Sequence, residues 1–324
     1  MLIDAPTRMN TAQQSRLIAI FPGQGNQHPG MGRDLFDTNQ RAQEMYKRAD
    51  KITGKDITGV SFDGSREEQR NPDYLQRITY VHECALHTLA ANRGIQADAY
   101  VGHSIGEYAA LQAAGAMTFE QGLELVSARS ELMKELSFDQ SPLWVLLGAS
   151  QEEVEQFCED TDGEVQIALY NCPGNYVIGA RPEALEKRRL QMPGKPRALP
   201  VTGPFHTDHY QEIASRFRAV LQRTRFQRPE KPVYANYDTR TYTTMKSIRD
   251  GLAFQLYQPV LWQQLMEQLI REGPQDQVFV EVGPGTSLRG MIAKIDPQAQ
   301  VETLQDAQTL EAFVSSVKSA ETSS

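Results

Sequence analysis

The 324-residue chain carries 33 Lys plus Arg against 41 Asp plus Glu, a formal net charge of −8, with 40% hydrophobic and 23% charged residues. The acidic balance argues against a nucleic-acid binder. No stretch approaches the roughly 18 uninterrupted apolar residues of a membrane-spanning helix, and the length suffices for a sizeable core.

The lead MLIDAPTRMNTAQQS has an acid at Asp4 and no apolar run, so residues 1–16 read as a disordered lead rather than a secretory signal. Leu17–Phe21 (LIAIF) is a short apolar run stopped by Pro22-Gly23, a buried strand and its turn. Asn71-Pro72 opens a helical pattern running to about Arg93, Ala99–Val101 is a brief strand, and a helix follows over about Phe119–Glu135. This alternation predicts a parallel sheet with packed helices. Leu143–Leu147, Val165–Leu169 and Tyr176–Gly179 read as strands, with helices near Glu152–Cys158 and Pro182–Gln191 and a closing strand near Ala198–Val201. That order suggests a small ferredoxin-like α+β unit inserted over about 136–204. Strands at Val233–Ala235 and Val278–Val282 and a helix from Leu288 resume the larger α/β domain, 17–135 with 205–324. Three scattered cysteines (Cys84, Cys158, Cys172) suit a reducing, cytoplasmic compartment.

Gly102-His103-Ser104-Ile105-Gly106 lies between a strand and a helix, where a sharp turn lifts a serine out of the sheet and glycines let strand and helix approach. Ser104 is the candidate nucleophile, and the Ile105 amide, first of the following helix, can donate to a developing oxyanion. Gln24, after the first strand, falls at the same carboxyl edge and is a second donor candidate; a plain glycine turn fits equally. The base is sought among six histidines. His82 and His87 sit inside a helix, and His103 adjoins Ser104 on the turn. His206 and His209 follow a Gly203-Pro204 turn and remain equivalent at this level. His206, Asp208 and His209 lack the further His or Cys that a zinc site needs. Arg129 has Leu125, Val126, Leu132 and Met133 at i−4, i−3, i+3 and i+4, which places it on a buried stripe. A cation there calls for an anion: a buried Asp or Glu, or a substrate carboxylate; snorkelling to the surface is the other outcome.

In this order, FPGQGNQHPGMG, GHSIGEYAAL, LELVSARSELM, NCPGNYVIGA, LPVTGPFH, QLYQPVLW and FVEVGPGTSLRGMI resemble the malonyl-CoA:acyl-carrier-protein transacylases over about residues 17–295. The resemblance implies an α/β-hydrolase-like core with the inserted ferredoxin-like subdomain and an active site in the cleft between them. It implies Ser104 as acyl-accepting nucleophile, His206 as base, and the Gln255 backbone carbonyl as the group orienting His206. Gln24 and Ile105 would form the oxyanion hole. Arg129, Phe205, Met133, Asn171 and Asn175 would bind substrate, Arg129 through the malonyl carboxylate. Ile105 and Phe205 resemble malonyl-selective members, and a ring at 205 would crowd an α-methyl branch. AAGAMTFEQGLELV and VYANYDTRTY look closer to free-standing acyltransferases that serve polyketide synthases in trans. The implied partners are malonyl-CoA and a holo acyl carrier protein, with no metal or cofactor, in a monomer. Arg181, Lys187, Arg188 and Arg189 form the candidate carrier-docking patch, a solvated helix face being the plainer reading. Ser141-Pro142-Leu143-Trp144 departs from the family's Gly-Ala-Met-Ala-like run, and Trp144 is expected to narrow the acyl or pantetheine channel. Two other functions stand beside transfer: an acyl-carrier-protein hydrolase, whose relatives generally lack the arginine, and a catalytically silent partner of a synthase.

Overall fold

The computed structural model describes residues 16–322; the expected lead lies outside them except for Arg16. Nine strands among the described residues are β1 (Leu17–Phe21), β2 (Ala99–Gly102), β3 (Leu143–Leu147), β4 (Gln166–Cys172), β5 (Asn175–Gly179), β6 (Lys195–Ala198), β7 (Val233–Tyr234), β8 (Val278–Val282) and β9 (Gln300–Leu304). They form two sheets. The larger has the order β7-β2-β1-β8-β9 and is parallel throughout. The smaller, β4-β5-β3-β6, is antiparallel.

The apolar runs of the central parallel strands follow from burial on both faces. Ile18, Ile20, Ala99, Val101 and Phe279 point to one side, against Trp262, Leu265 and Met266 of the helix Trp262–Glu272. Ala19, Phe21, Tyr100, Val280 and Val282 point to the other, into the main cluster with the helices Leu75–Asn92, Gly106–Ala113 and Phe119–Lys134. Each fully buried aliphatic side chain contributes about 1.5–3 kcal/mol, so this two-sided sheet is the rigid base of the molecule.

One face of the smaller sheet (Leu146, Tyr176, Ile178) packs on Val154, Phe157 and Leu185 of the helices Gln151–Glu159 and Pro182–Arg188. The other (Leu143, Ala168, Val177) meets Leu199, Val201 and Phe205. β4 exchanges backbone hydrogen bonds with Val260 of the larger unit: Tyr170 N–H donates to Val260 O at 3.0 Å and Val260 N–H to Ala168 O at 2.9 Å.

The strand expected near Ala198–Val201 lies instead at Lys195–Ala198. It is an exposed edge strand, so it has no apolar alternation to reveal it, whereas Leu199 and Val201 are apolar because they tuck beneath the sheet. The helix expected to Gln191 ends at Arg188 and tightens into a 3₁₀ turn over Arg189–Gln191. No helix among the described residues is long and apolar enough to cross a membrane.

Candidate active site

β1 and β2 are neighbours, with Phe21 opposite Gly102, so the loops after them leave one sheet edge side by side. The turn after β2 is possible only with glycine at two places. A Cβ on Gly102 would lie 2.0 Å from Glu107 N, and one on Gly106 would lie 2.3 Å from Phe21 O. With these absent, Ser104 takes a left-handed conformation, φ 52°, uncommon for a residue with a side chain and typical of functional turns. Asn236 braces it: Ser104 N–H donates to Asn236 Oδ1 at 2.6 Å, and Asn236 Nδ2 donates to Gly102 O.

Ser104 Oγ lies 2.8 Å from His206 Nε2, and His206 Nδ1 lies 2.7 Å from Gln255 O. A carbonyl only accepts, so Nδ1 carries the proton and Nε2 accepts from the serine hydroxyl, the orientation a general base requires. His206 is buried at φ 61°, its own N–H fixed on Leu256 O at 3.1 Å. Burial first, and the Arg129 charge second, push the imidazole down to about 3, so it is neutral at ordinary pH. His209 faces Thr207 Oγ1 at 3.2 Å and does not approach Ser104. Among the described residues no group of three or more His, Cys, Asp and Glu is placed to hold a metal ion.

The backbone N–H groups of Gln24 and Ile105 donate to no protein acceptor among the described residues. The Gln24 side chain lines a narrow cleft with Arg70, Gln76, Met133, Lys134 and Phe205. Arg129 is 1% exposed, which rules out snorkelling. Its Nη1 donates to Gln76 Oε1 at 2.7 Å and its Nη2 to Gln255 Oε1 at 3.4 Å, while the guanidinium sits 5.8 Å from the Tyr108 ring centroid. Its Nε has no partner, and no carboxylate among the described residues pairs with it. Burial lowers its pKa against the opposing pull of Tyr108, Tyr210 and Glu107.

Met133 is buried beside this group, its Sδ accepting from Gln76 Nε2 at 3.8 Å. Phe205 stacks obliquely on Tyr210, ring centroids 5.7 Å apart, and reaches the face of the smaller sheet that looks into the cleft. Asn171 and Asn175 are joined to each other at 3.2 Å, and Asn171 Oδ1 accepts from His103 Nε2 at 3.0 Å. The His103–Asn171 contact ties the turn bearing Ser104 to the smaller sheet.

Two expectations need revision. Trp144 does not face the cleft: strand alternation sends Leu143 to the face that meets Leu199, Val201 and Phe205 and turns Trp144 to the helix-covered side, under the Arg189 guanidinium at 5.6 Å. The four docking cations are not one free patch. Arg181, Lys187 and Arg189 are exposed, Arg189 pairing with Glu186 at 3.4 Å, but Arg188 is largely covered and pairs with Glu164 at 2.5 Å.

Sequence reasoning passed over Asn236, Gln76 and Glu107. A position-based signal existed for Asn236, which follows a strand beside β2 at the edge bearing Ser104. Gln76 lies in the first turn of the helix Leu75–Asn92 with Pro72, Asp73, Thr79 and Tyr80 at helical spacing, so no apolar stripe marks it.

An aligned serine and imidazole, two unpaired N–H groups and a buried cation that no carboxylate of the described residues touches are the parts of a serine acyl-transfer site. A family profile described as "Acyl transferase domain" matches residues 19–314. The chain belongs to that acyl transferase family. It is 30% identical over 312 residues to the malonyl CoA-acyl carrier protein transacylase of Bacillus subtilis, covering 94% of this chain and 98% of that one. Among solved structures it is similar to a malonyl-transacylase (PlMCAT) in complex with a type II PKS acyl-carrier protein, with TM-score 0.88, 27% identity, and coverage of 93% and 100%. The malonyl CoA-acyl carrier protein transacylase of Coxiella burnetii gives 0.87 and 27%, covering 93% and 97%.

Proposed function

We propose that the chain is a malonyl-CoA:acyl-carrier-protein S-malonyltransferase working by ping-pong transfer. The observation that carries this is Arg129: a fully buried guanidinium hydrogen-bonded to the amides of Gln76 and Gln255 and touched by no carboxylate of the described residues, one residue away from the base through Gln255. A buried guanidinium with an unused N–H calls for an anion in direct contact, and a carboxylate-bearing acyl group supplies it.

His206 takes the Ser104 proton as Oγ attacks the malonyl thioester. The N–H groups of Gln24 and Ile105 receive the oxyanion. His206 then protonates the departing coenzyme A thiolate, leaving malonyl-Ser104. The phosphopantetheine thiol of a carrier protein attacks this ester by the same steps in reverse, so malonyl ends on the carrier thiol and Ser104 regains its proton. Phe205 and Met133 wall the acyl chain. Asn171 and Asn175 act at the cleft by holding His103.

The finer architecture fits this reading. The smaller unit runs β-α-β-β-α-β from β3 to β6, with spatial order β4-β5-β3-β6, and this order supports the ferredoxin-like reading. It is proposed as an insertion at 136–204 in an α/β-hydrolase-like domain. Phe138 N–H donates to Thr202 O at 2.7 Å, drawing its two ends together. The chain is read as a cytoplasmic monomer, in keeping with three free cysteines. Its proposed partner is an acidic carrier protein, met by Arg181 and Lys187. Service to a polyketide synthase in trans is the favoured setting.

Intact-protein mass spectrometry after exposure to malonyl-CoA tests the function. A lasting malonyl adduct, absent in Ser104→Ala and discharged by holo carrier protein, is expected. Rapid release of free malonate without an adduct would point to the hydrolase, and no turnover at all to a silent partner.

A further inference from the structure

One fully buried carboxylate beside this site has been given no task. Glu107, in the first turn of the helix after Ser104, is 0% exposed. Its Oε1 accepts from the Tyr242 hydroxyl, and its Oε2 accepts from Gln255 Nε2 at 2.8 Å and Asn236 N–H at 3.2 Å. No cation touches it. Gln255 Nε2 also donates to Ser104 O at 2.9 Å, while Gln255 Oε1 turns the other way and accepts from Arg129. The amide of Gln255 thus stands between a buried anion and a buried cation, dipole aligned, with its backbone carbonyl on His206.

We infer that Glu107 is the resident counter-ion of Arg129, coupled to it through the Gln255 amide, and that it takes up a proton when a carboxylate-bearing acyl group occupies Arg129. The inference rests on the acyl-group reading proposed above. In the empty site one positive and one negative charge share a dry interior. A substrate carboxylate brings a second anion to the same cation, and the less solvated resident is the one to be neutralised. Reciprocity follows: whatever protonates Glu107 strengthens the hold of Arg129 on an anionic acyl group.

The groups facing Glu107 support a transition in the accessible range. Burial raises its pKa and Asp238 adds to the rise, against the pull of Tyr242, Gln255 and Asn236, leaving it at about 7. Tyr108, Tyr237 and Tyr242 around it are all displaced upward, so none of them titrates there. His206, across Gln255, lies at about 3 and stays neutral throughout. Glu107 is a positioning group in this scheme, since it acts on substrate only through Gln255 and Arg129.

The test is the ratio of Ser104 acylation rate constants (kcat/KM) for malonyl-CoA and acetyl-CoA, measured from about pH 6 to about pH 8.5. The coenzyme A phosphates are common to both substrates and cancel. The ratio is expected to fall several-fold with rising pH, by at most about tenfold per unit. In Glu107→Gln, which keeps acceptor and shape but removes the charge, it should stay flat at the high, acid-side value. Tyr242→Phe removes one hydrogen bond to the carboxylate and should move the wild-type midpoint upward, and this variant carries the test if Glu107→Gln does not fold. A flat wild-type ratio, or an unchanged slope in Glu107→Gln, overturns the inference. Absence of malonyl preference at every pH would instead overturn the acyl-group reading itself.

Discussion

Arg129 and His206 oppose one another: after burial, the guanidinium is the largest influence holding the imidazole near 3. On the proposed reading a carboxylate seated on Arg129 screens that field, so the substrate makes its own base stronger. Arg129→Ala is therefore expected to raise the His206 pKa in the empty enzyme while lowering kcat/KM for malonyl-CoA roughly a hundredfold, the scale of a charged hydrogen-bonded pair. An NMR pH titration of the imidazole reads the first effect; an unmoved His206 would show that burial alone sets its pKa. Arg129 was legible in the sequence because four apolar neighbours at helical spacing leave one place for its stem, the interior. Asn236 and Glu107 were not. Each works through contacts to residues more than a hundred positions away, Ser104 for Asn236, and Gln255, Asn236 and Tyr242 for Glu107, and no local period encodes such contacts.

The turn between β2 and the helix Gly106–Ala113 shows how an element sets chemistry. The helix begins against the backbone of β1, because Gly106 presents no side chain to Phe21 O. That contact places the Ile105 N–H and the Ser104 Oγ on the same edge as Gln24. Gly106→Ala forces a methyl group to 2.3 Å from that oxygen, and the helix must back away. The expected result is a loss of about 1–3 kcal/mol in stability, as in other overpacked sites, together with near-complete loss of Ser104 acylation. Urea denaturation and adduct formation measure the two separately; an intact acylation rate would show that the elbow tolerates displacement. Central elements were readable from sequence since burial on both faces writes apolar runs. β6, with its Lys-Pro-Arg-Ala, and β9, with Gln-Val-Glu-Thr-Leu, are edge strands whose pairing leaves little trace in composition.

At the scale of the whole molecule, buried histidines and buried glutamates pull stability in opposite directions as pH changes. His82 and His87 are pushed down to about 4 and His206 to about 3, and His103 is lowered too, burial being the first cause in each. Unfolded, these groups bind a proton near 6.5, so acidification below that value favours the unfolded chain by about 1.4 kcal/mol per pH unit per group. Glu107 and Glu281 are raised to about 7, and Glu83, whose two oxygens have no hydrogen-bond partner, well above its ordinary value. Folded, they hold protons that the unfolded chain releases above about 4.5, so acidification through that interval favours the fold. Between about pH 4.5 and 6.5 the two sets nearly offset. Below it only the histidines count, joined by carboxylates such as Asp73 and Asp250 that their lysine partners keep low; above it only the glutamates do. The melting temperature should therefore be broadly flat across that window and fall on either side. The alkaline fall should shrink in Glu83→Gln, which removes the buried charge without removing the side chain. Calorimetry across the pH range decides it: a melting temperature climbing steadily from pH 5 to pH 8 would mean that the buried glutamates ionise without penalty, and with that the electrostatic basis for coupling Glu107 to Arg129 would be lost as well.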